Sequence, residues 1–326
     1  MKSVRYQFPD INTLRSGLAS VVAGNGSKGT QVKILKRRRN INSSTFASEI
    51  VTCRLHQGND LLLLCKYGGE HDDNVYGHKG GVAYEAAVYE YLLKPLRIST
   101  PKFYGSHEEL SARRTWLVIE YLNTSERLSI TADTTAAITA AARWIGNFHR
   151  ATFMTTHLRK ASHTFNTYNV DYYLGWARRT LAFAEVLHDR FPWLSPVCEQ
   201  FEAVAKELLA APQTAIHGEY YPKNILFRRG VVYPVDWESL ALAPGEIDLA
   251  SLTEGWPAEI VRRCEREYRS ARWPNGAPPS FDRTLAVARL YLTLRWLGDR
   301  PDWTIAKRHL CHFRQLRSIA EQLEMI

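Results

Sequence analysis

No stretch of the 326-residue chain stays apolar long enough to cross a bilayer; the longest run, Leu61 to Cys65, has the length of a strand. The first residues, Met1-Lys2-Ser3-Val4-Arg5, lead into polar sequence without the apolar core of a signal peptide. Cysteine is scarce: Cys53, Cys65, Cys198, Cys264 and Cys311 form an odd, scattered set with no C-x-x-C pair. That excludes a disulfide framework and a zinc site, and it fits reduced core thiols in a cytoplasmic protein. Internal repeats and a low-complexity tail are also missing. The net charge is +9, yet there is no long basic tail. Lysine and arginine are spread, with short clusters at Lys36–Arg39, Arg113-Arg114 and Arg262-Arg263, and no nucleic-acid motif accompanies them. Neither a nucleic acid nor a membrane is therefore an expected partner. A basic chain attracts anions and gains nothing from long-range steering of a polycation. With 45% hydrophobic residues the chain can bury a sizeable core in one or two domains.

What is present concentrates between Ile216 and Asp248. The sequence I-H-G-E-Y-Y-P-K-N-I-L-F-R-R-G-V-V-Y-P-V-D-W-E is followed by P-G-E-I-D-L-A. Ile225-Leu226-Phe227 and Val231-Val232-Tyr233 flank Arg229-Gly230, which predicts a β-hairpin with a tight turn. A hairpin returns its ends to one place, so Asn224 before it and Asp236 after it are expected side by side. Glu219 lies on the loop leading in. Phosphoryl transfer from a nucleotide uses hard oxygen ligands for Mg²⁺, which Asp236 and the Asn224 amide would supply. It also uses a carboxylate to orient the attacking hydroxyl and take its proton, a task for Glu219. Protein kinases place a catalytic Asp, an Asn five residues on and a following Mg²⁺-binding Asp, and Glu219 to Asn224 repeats that step.

The stretch resembles the aminoglycoside phosphotransferase / choline kinase-like family of small-molecule kinases. H-G-E-Y-Y-P-K-N stands for the family's H-G-D-x-x-x-x-N, with V-D-W-E and P-G-E-I-D-L-A at the family spacings. Glu219 replaces the usual Asp, and the extra methylene moves the carboxylate by about 1.5 Å. The resemblance implies an α+β, bilobal, protein kinase-like fold. Residues 1–122 would form an N-lobe of small antiparallel β-sheet plus one helix. Residues 123–326 would form a larger, mainly helical C-lobe holding the catalytic hairpin. It implies an ATP- and Mg²⁺-dependent transfer of the γ-phosphate to an alcohol group of a small molecule. Aminoglycosides, other antibiotics, amino alcohols, sugars and biosynthetic intermediates all remain open as acceptors, as does GTP in place of ATP. The alternative is a pseudokinase that binds nucleotide, or a partner, without turnover. Asp248 would brace the catalytic loop by accepting backbone hydrogen bonds, with His217 as a structural neighbour.

The rest of the chain fits that frame. Asp10 is a plausible N-cap for a helix over 10–23. Gly24-Asn25-Gly26-Ser27-Lys28-Gly29 is a literal G-x-G-x-x-G, but a strand follows where a dinucleotide site needs a helix. Strands are expected at 31–35, 46–55 and 61–67. Ser43, Ser44 and Thr45, between the first two, are candidates to meet nucleotide phosphates. Lys66 closes the third strand and is the candidate for the α/β-phosphates. Glu85, on a helix over 82–93, is its expected partner, with Glu90 as the rival. Strand 115–122 ends in the segment, Glu120 to Leu122, whose backbone would bind adenine. Helices are expected at 134–153, 170–191, 195–211 (with a Ser N-cap), from 247, 281–297 and 303–323. His149 is expected to be a packing residue. Tyr168, Tyr172, Tyr173, Trp176, Tyr220, Tyr221 and Trp256 could line the acceptor site, Tyr220 and Tyr221 foremost.

Overall fold

The structure is a computed structural model, and it describes residues 8–22, 31–42, 46–55, 58, 60–69, 76–131, 133–153 and 164–326. In chain order the strands are β1 (Val32–Arg39), β2 (Ala47–Leu55), β3 (Asp60–Gly68), β4 (Phe103–Glu109), β5 (Arg114–Glu120), β6 (Glu126–Arg127), β7 (Asn166–Thr167), β8 (Gln213–Ile216), β9 (Ile225–Arg228), β10 (Val231–Pro234) and β11 (Ala241–Pro244). The principal helices are α1 (Ile11–Val22), α2 (Gly81–Val88), α3 (Thr134–Thr152), α4 (Val170–Ala184), α5 (Leu194–Ala210), α6 (Glu246–Thr253), α7 (Ala258–Arg272), α8 (Phe281–Leu297) and α9 (Leu310–Gln322). The chain divides into two compact units, Met1–Arg127 with Leu226–Ser239, and Leu128–Ile225 with Leu240–Ile326. No helix among the described residues is long and apolar enough to cross a membrane.

The first unit is built on an antiparallel sheet of order β1-β2-β3-β5-β4. Asp10 caps α1, accepting from the Asn12 and Thr13 amides at 2.8 and 3.0 Å. Leu14, Leu18 and Val21 of α1 bury against Val51, Cys53, Leu63, Cys65, Tyr67 and Trp116. Successive strand residues point to opposite faces. Lys66 therefore leaves the sheet on the face away from α1, where α2 waits. Helix 82–93 is not uniform: α2 passes into a π-helical turn at Tyr89–Leu93, a local widening often found near functional sites. The β9–β10 hairpin also belongs to this unit, beside β6. Arg229 and Gly230 both have positive φ, 52° and 80°, as a two-residue primed turn requires.

The second unit is mainly helical. Asp133 caps α3 and Asn169 caps α4 through their side chains. Ser195 is not a cap: α5 begins one residue earlier, at Leu194, after Trp193. The predicted helix 170–191 gives way to a 3₁₀ turn at Glu185–Arg190, and 303–323 breaks into Pro301–Ile305, a 3₁₀ turn and α9. α7 and β11 were not expected from sequence. α7 lies along α3, and Gly146 permits the approach: a Cβ there would sit 2.8 Å from the Tyr268 carbonyl oxygen. α8 is buried over most of its length, because its apolar residues fall on several sides and not on a single stripe. β11 pairs antiparallel with β8 and parallel with β7. That ladder fixes the end of β8, from which His217 follows.

Candidate functional site

In the first unit, four charged side chains converge from β3, α2 and the segment after β10. Lys66 Nζ lies 2.7 Å from Glu85 Oε2, 2.7 Å from Asp236 Oδ1 and 3.5 Å from Glu238 Oε2. Lys79 Nζ reaches the other Glu238 oxygen at 2.8 Å. Glu85 is buried, whereas Glu90 is exposed. Its second oxygen accepts the Trp237 amide at 3.1 Å, which ties the residue after Asp236 to α2. Asp236 itself has φ 70°, a conformation that is strained for a residue with a side chain. Burial alone would lower the Lys66 pKa, but Asp236, Glu85 and Glu238 outweigh it and hold the ammonium well above its ordinary value. Burial pushes the Glu85 carboxyl up to about 7 against the pull of Lys66. Three carboxylates face two ammoniums, so with all three ionised the cluster has one negative charge in excess. Among the described residues, oxygens of Glu85, Asp236 and Glu238 lie within 4.8 Å of one another. Hard oxygen donors with surplus negative charge fit Mg²⁺.

Glu120 and Leu122 lie at the end of β5. The Glu120 amide donates to the Lys102 carbonyl, and its carboxylate faces Arg228 at 3.7 Å. The Leu122 carbonyl accepts from the Ser125 hydroxyl at 2.7 Å. Ser43, Ser44 and Thr45, and the 24–29 glycine motif, lie outside the described residues.

In the second unit, β8 delivers His217, Glu219 and Asn224 on one tight loop. Gly218 has φ 79°, which a glycine adopts without strain. His217 Nδ1 accepts the Glu219 amide at 3.3 Å, and the Asn224 amide nitrogen donates to the Glu219 carbonyl at 3.0 Å. That second bond leaves the Asn224 side-chain oxygen for a cation. Asp248, in the first turn of α6, accepts the His217 and Gly218 amides at 2.6 and 3.0 Å. Behind it runs a buried polar chain. His149 Nε2 meets Asp248 at 3.1 Å, His149 Nδ1 meets the Tyr268 hydroxyl at 2.9 Å, and Arg272 joins Tyr268 at 2.6 Å to Glu246 at 3.1 Å. Burial lowers the His149 pKa, more than Asp248 raises it. The neutral ring is a bracing element of the loop.

The sequence profile of the phosphotransferase enzyme family matches residues 77–289, more than half of the chain. The chain belongs to that family. Among curated proteins, sequence comparison finds no match. Solved structures share the phosphotransferase fold at low identity. A macrolide 2′-phosphotransferase from Brachybacterium faecium is 18% identical, with TM-score 0.52 over 94% of this chain and 98% of that one. A choline kinase from Streptococcus pneumoniae is 12% identical, with TM-score 0.60 over 95% and 98%. A spectinomycin phosphotransferase solved with ADP and spectinomycin is 11% identical, with TM-score 0.57 over 90% and 94%.

Sequence reasoning had not singled out three charged residues that this phosphotransferase brings to the two groups. Glu238 and Lys79 complete the first cluster. Arg295, on α8, lies with Nη1 3.6 Å from Glu219 Oε1 and Nη2 2.5 Å from the Tyr221 hydroxyl. A charged residue inside the apolar run Leu290–Leu297 was the available signal, because such a side chain needs partners to be buried. Tyr220 proves to be core: it is fully buried, its ring is parallel to Trp144 and its hydroxyl donates to the Ala141 carbonyl at 3.0 Å. Tyr168, Tyr172 and Tyr173 cluster with Tyr291. Trp256 lines a separate cavity of about 340 Å³ with Glu254, Arg262 and Arg289.

Proposed function

We propose that this phosphotransferase moves the γ-phosphate of ATP to a hydroxyl of a small molecule, in a cytoplasmic setting. The observation that carries the reading is Lys66, a part-buried ammonium held at 2.7 Å by both Glu85 and Asp236. A lysine fixed in this way presents a point charge for nucleotide phosphates. Asp236 and Asn224 would be the ligands for Mg²⁺, which when bound would offset charge on the phosphates. Glu219 orients the acceptor hydroxyl and receives its proton at a carboxylate oxygen as the oxygen attacks. His217 and Asp248 hold the loop that presents Glu219. Catalysis on this reading is positioning and electrostatics, with no covalent step on the protein. Relatives of the same fold are named for choline, a macrolide and spectinomycin, so the fold by itself does not name the acceptor.

The test is a thermal-shift titration with ATP or GTP, with and without Mg²⁺, on wild type and Asp236→Ala. A ligand of the folded state raises the melting temperature by mass action. The expected result is a Mg²⁺-dependent rise that Asp236→Ala abolishes, followed by ADP release when hydroxyl compounds are screened. An inactive nucleotide-binding module would share the shift and release no ADP. No shift with either nucleotide would sink the reading.

A further inference from the structure

Arg295 is the feature that the family match does not reach, since the match ends at residue 289. Its guanidinium is buried, with side-chain exposure of 7%, unlike the more exposed Arg283 and Arg289 of the same helix. Burial alone would lower its pKa; Tyr221, Tyr291 and Glu219 are among the groups that hold it well above its ordinary value. The two arms of the fork go to two residues of one loop. Nη2 donates to the Tyr221 hydroxyl at 2.5 Å, and Nη1 faces Glu219 Oε1 at 3.6 Å, an ion pair and not a hydrogen bond. The same guanidinium stands 5.7 Å from the Trp296 ring centre, within cation–π range. A planar fork presents its donors in fixed directions, whereas a lysine ammonium is a compact point charge on a flexible stem.

We propose that Arg295 is a positioning residue: it fixes the Glu219 carboxylate against Tyr221 and so sets how far the base reaches towards the acceptor hydroxyl. The proposal rests on the reading of Glu219 as the base. It also accounts for a glutamate at this position. Shortening Glu219 by one methylene withdraws the carboxylate by about 1.5 Å, which takes it beyond ion-pair range of Arg295. Aspartate is therefore not a conservative replacement here, although it keeps the same acid.

The experiment uses the full chain in two readouts. Thermal unfolding of Glu219→Gln, Arg295→Met and the double variant measures the pair without any ligand. ADP release from MgATP, with water as the acceptor, is then followed for wild type, Arg295→Lys and Glu219→Asp. The lysine variant keeps the buried charge, so it keeps the fold if the methionine variant does not. The expected result is that the two single losses in melting temperature fail to add. Arg295→Lys and Glu219→Asp should each lower kcat about tenfold with the KM for ATP unchanged, and combining them should add little. Additive losses, wild-type kcat in Arg295→Lys, or kcat and KM moving together would overturn the proposal. A wild type that binds MgATP and releases no ADP with water or any hydroxyl compound would be the inactive nucleotide-binding module, which sinks the reading of Glu219 as the base and this proposal with it. A melting temperature indifferent to MgATP would instead sink the transferase reading, and this proposal with it.

Discussion

Lys66 in the first unit is a part-buried cation and Arg272 in the second a fully buried one; both have carboxylate partners, yet their surroundings differ in what is left over. Around Lys66, three carboxylates meet two ammoniums, and Asp236 keeps a partly exposed side chain. Around Arg272, each polar group passes to the next: Glu246, Arg272, Tyr268, His149 and Asp248, ending on two backbone amides. The first arrangement has unspent charge and some access to water, which suits a group that must receive a cation and phosphates. The second is closed and dry, which suits a group that must hold a loop still. Buried charge alone does not mark a site that acts; surplus and access do.

Lys66→Met is the hardest test of that contrast. It leaves three carboxylates without their central cation, and breaking a buried pair in this way costs about 3–5 kcal/mol. If the cluster is cation-binding, millimolar Mg²⁺ should recover much of the lost melting temperature in the variant and do less for wild type. A loss that Mg²⁺ does not touch would make the first cluster as structural as the second. Asp248→Ala comes next. It strips the acceptor from the His217 and Gly218 amides and from His149, for a loss of about 2–4 kcal/mol by urea unfolding. Metal should give no recovery here, and recovery would blur the distinction.

Gly245→Ala should cost about 1–3 kcal/mol by overpacking. A Cβ there would lie 2.4 Å from His149 Nδ1 and 2.7 Å from both Arg272 Nη1 and the Tyr268 hydroxyl. A neutral result in thermal unfolding would mean that the polar chain yields easily, contrary to a closed brace. The smallest effect is a pH slope from His149. Its folded pKa is depressed by burial, so its contribution is present above the unfolded value of 6.5 and is lost as pH falls through the folded value. One such group gives at most about 1.4 kcal/mol per pH unit. Stability measured from pH 7 downwards should fall less steeply in His149→Gln, and identical slopes would remove His149 as the cause.

The sequence made some of this plain and hid the rest for physical reasons. The Asp10 cap, the Arg229-Gly230 turn and the strand that carries Lys66 are local signals, and local chemistry decides them. Ser195 misled because a hydroxyl near a helix start is a cap only when its own backbone sits outside the helix; here α5 has already begun at Leu194. α7 was missed because arginines and glutamates dominate it, although Val261, Cys264, Tyr268 and Ala271 keep a helical period. Glu219, Asn224, Asp236 and Asp248 stood out as candidates because they share one motif. Arg295 did not, because its partners lie more than seventy residues away in sequence, and periodicity says nothing about which distant loop a buried cation will meet.

The hairpin β9–β10 joins the first unit although the residues on either side of it belong to the second. During synthesis, Lys66 and Glu85 leave the ribosome well before Asp236 and Glu238. Residues 128–225 must be made in the interval, which takes roughly 5–20 s at typical elongation rates. Through that time the lysine has one of its carboxylate partners and lacks the other two. The first unit is thus completed late, by a segment that arrives only after much of the second has been translated, and any chain released before residue 236 carries the sheet without its charge cluster.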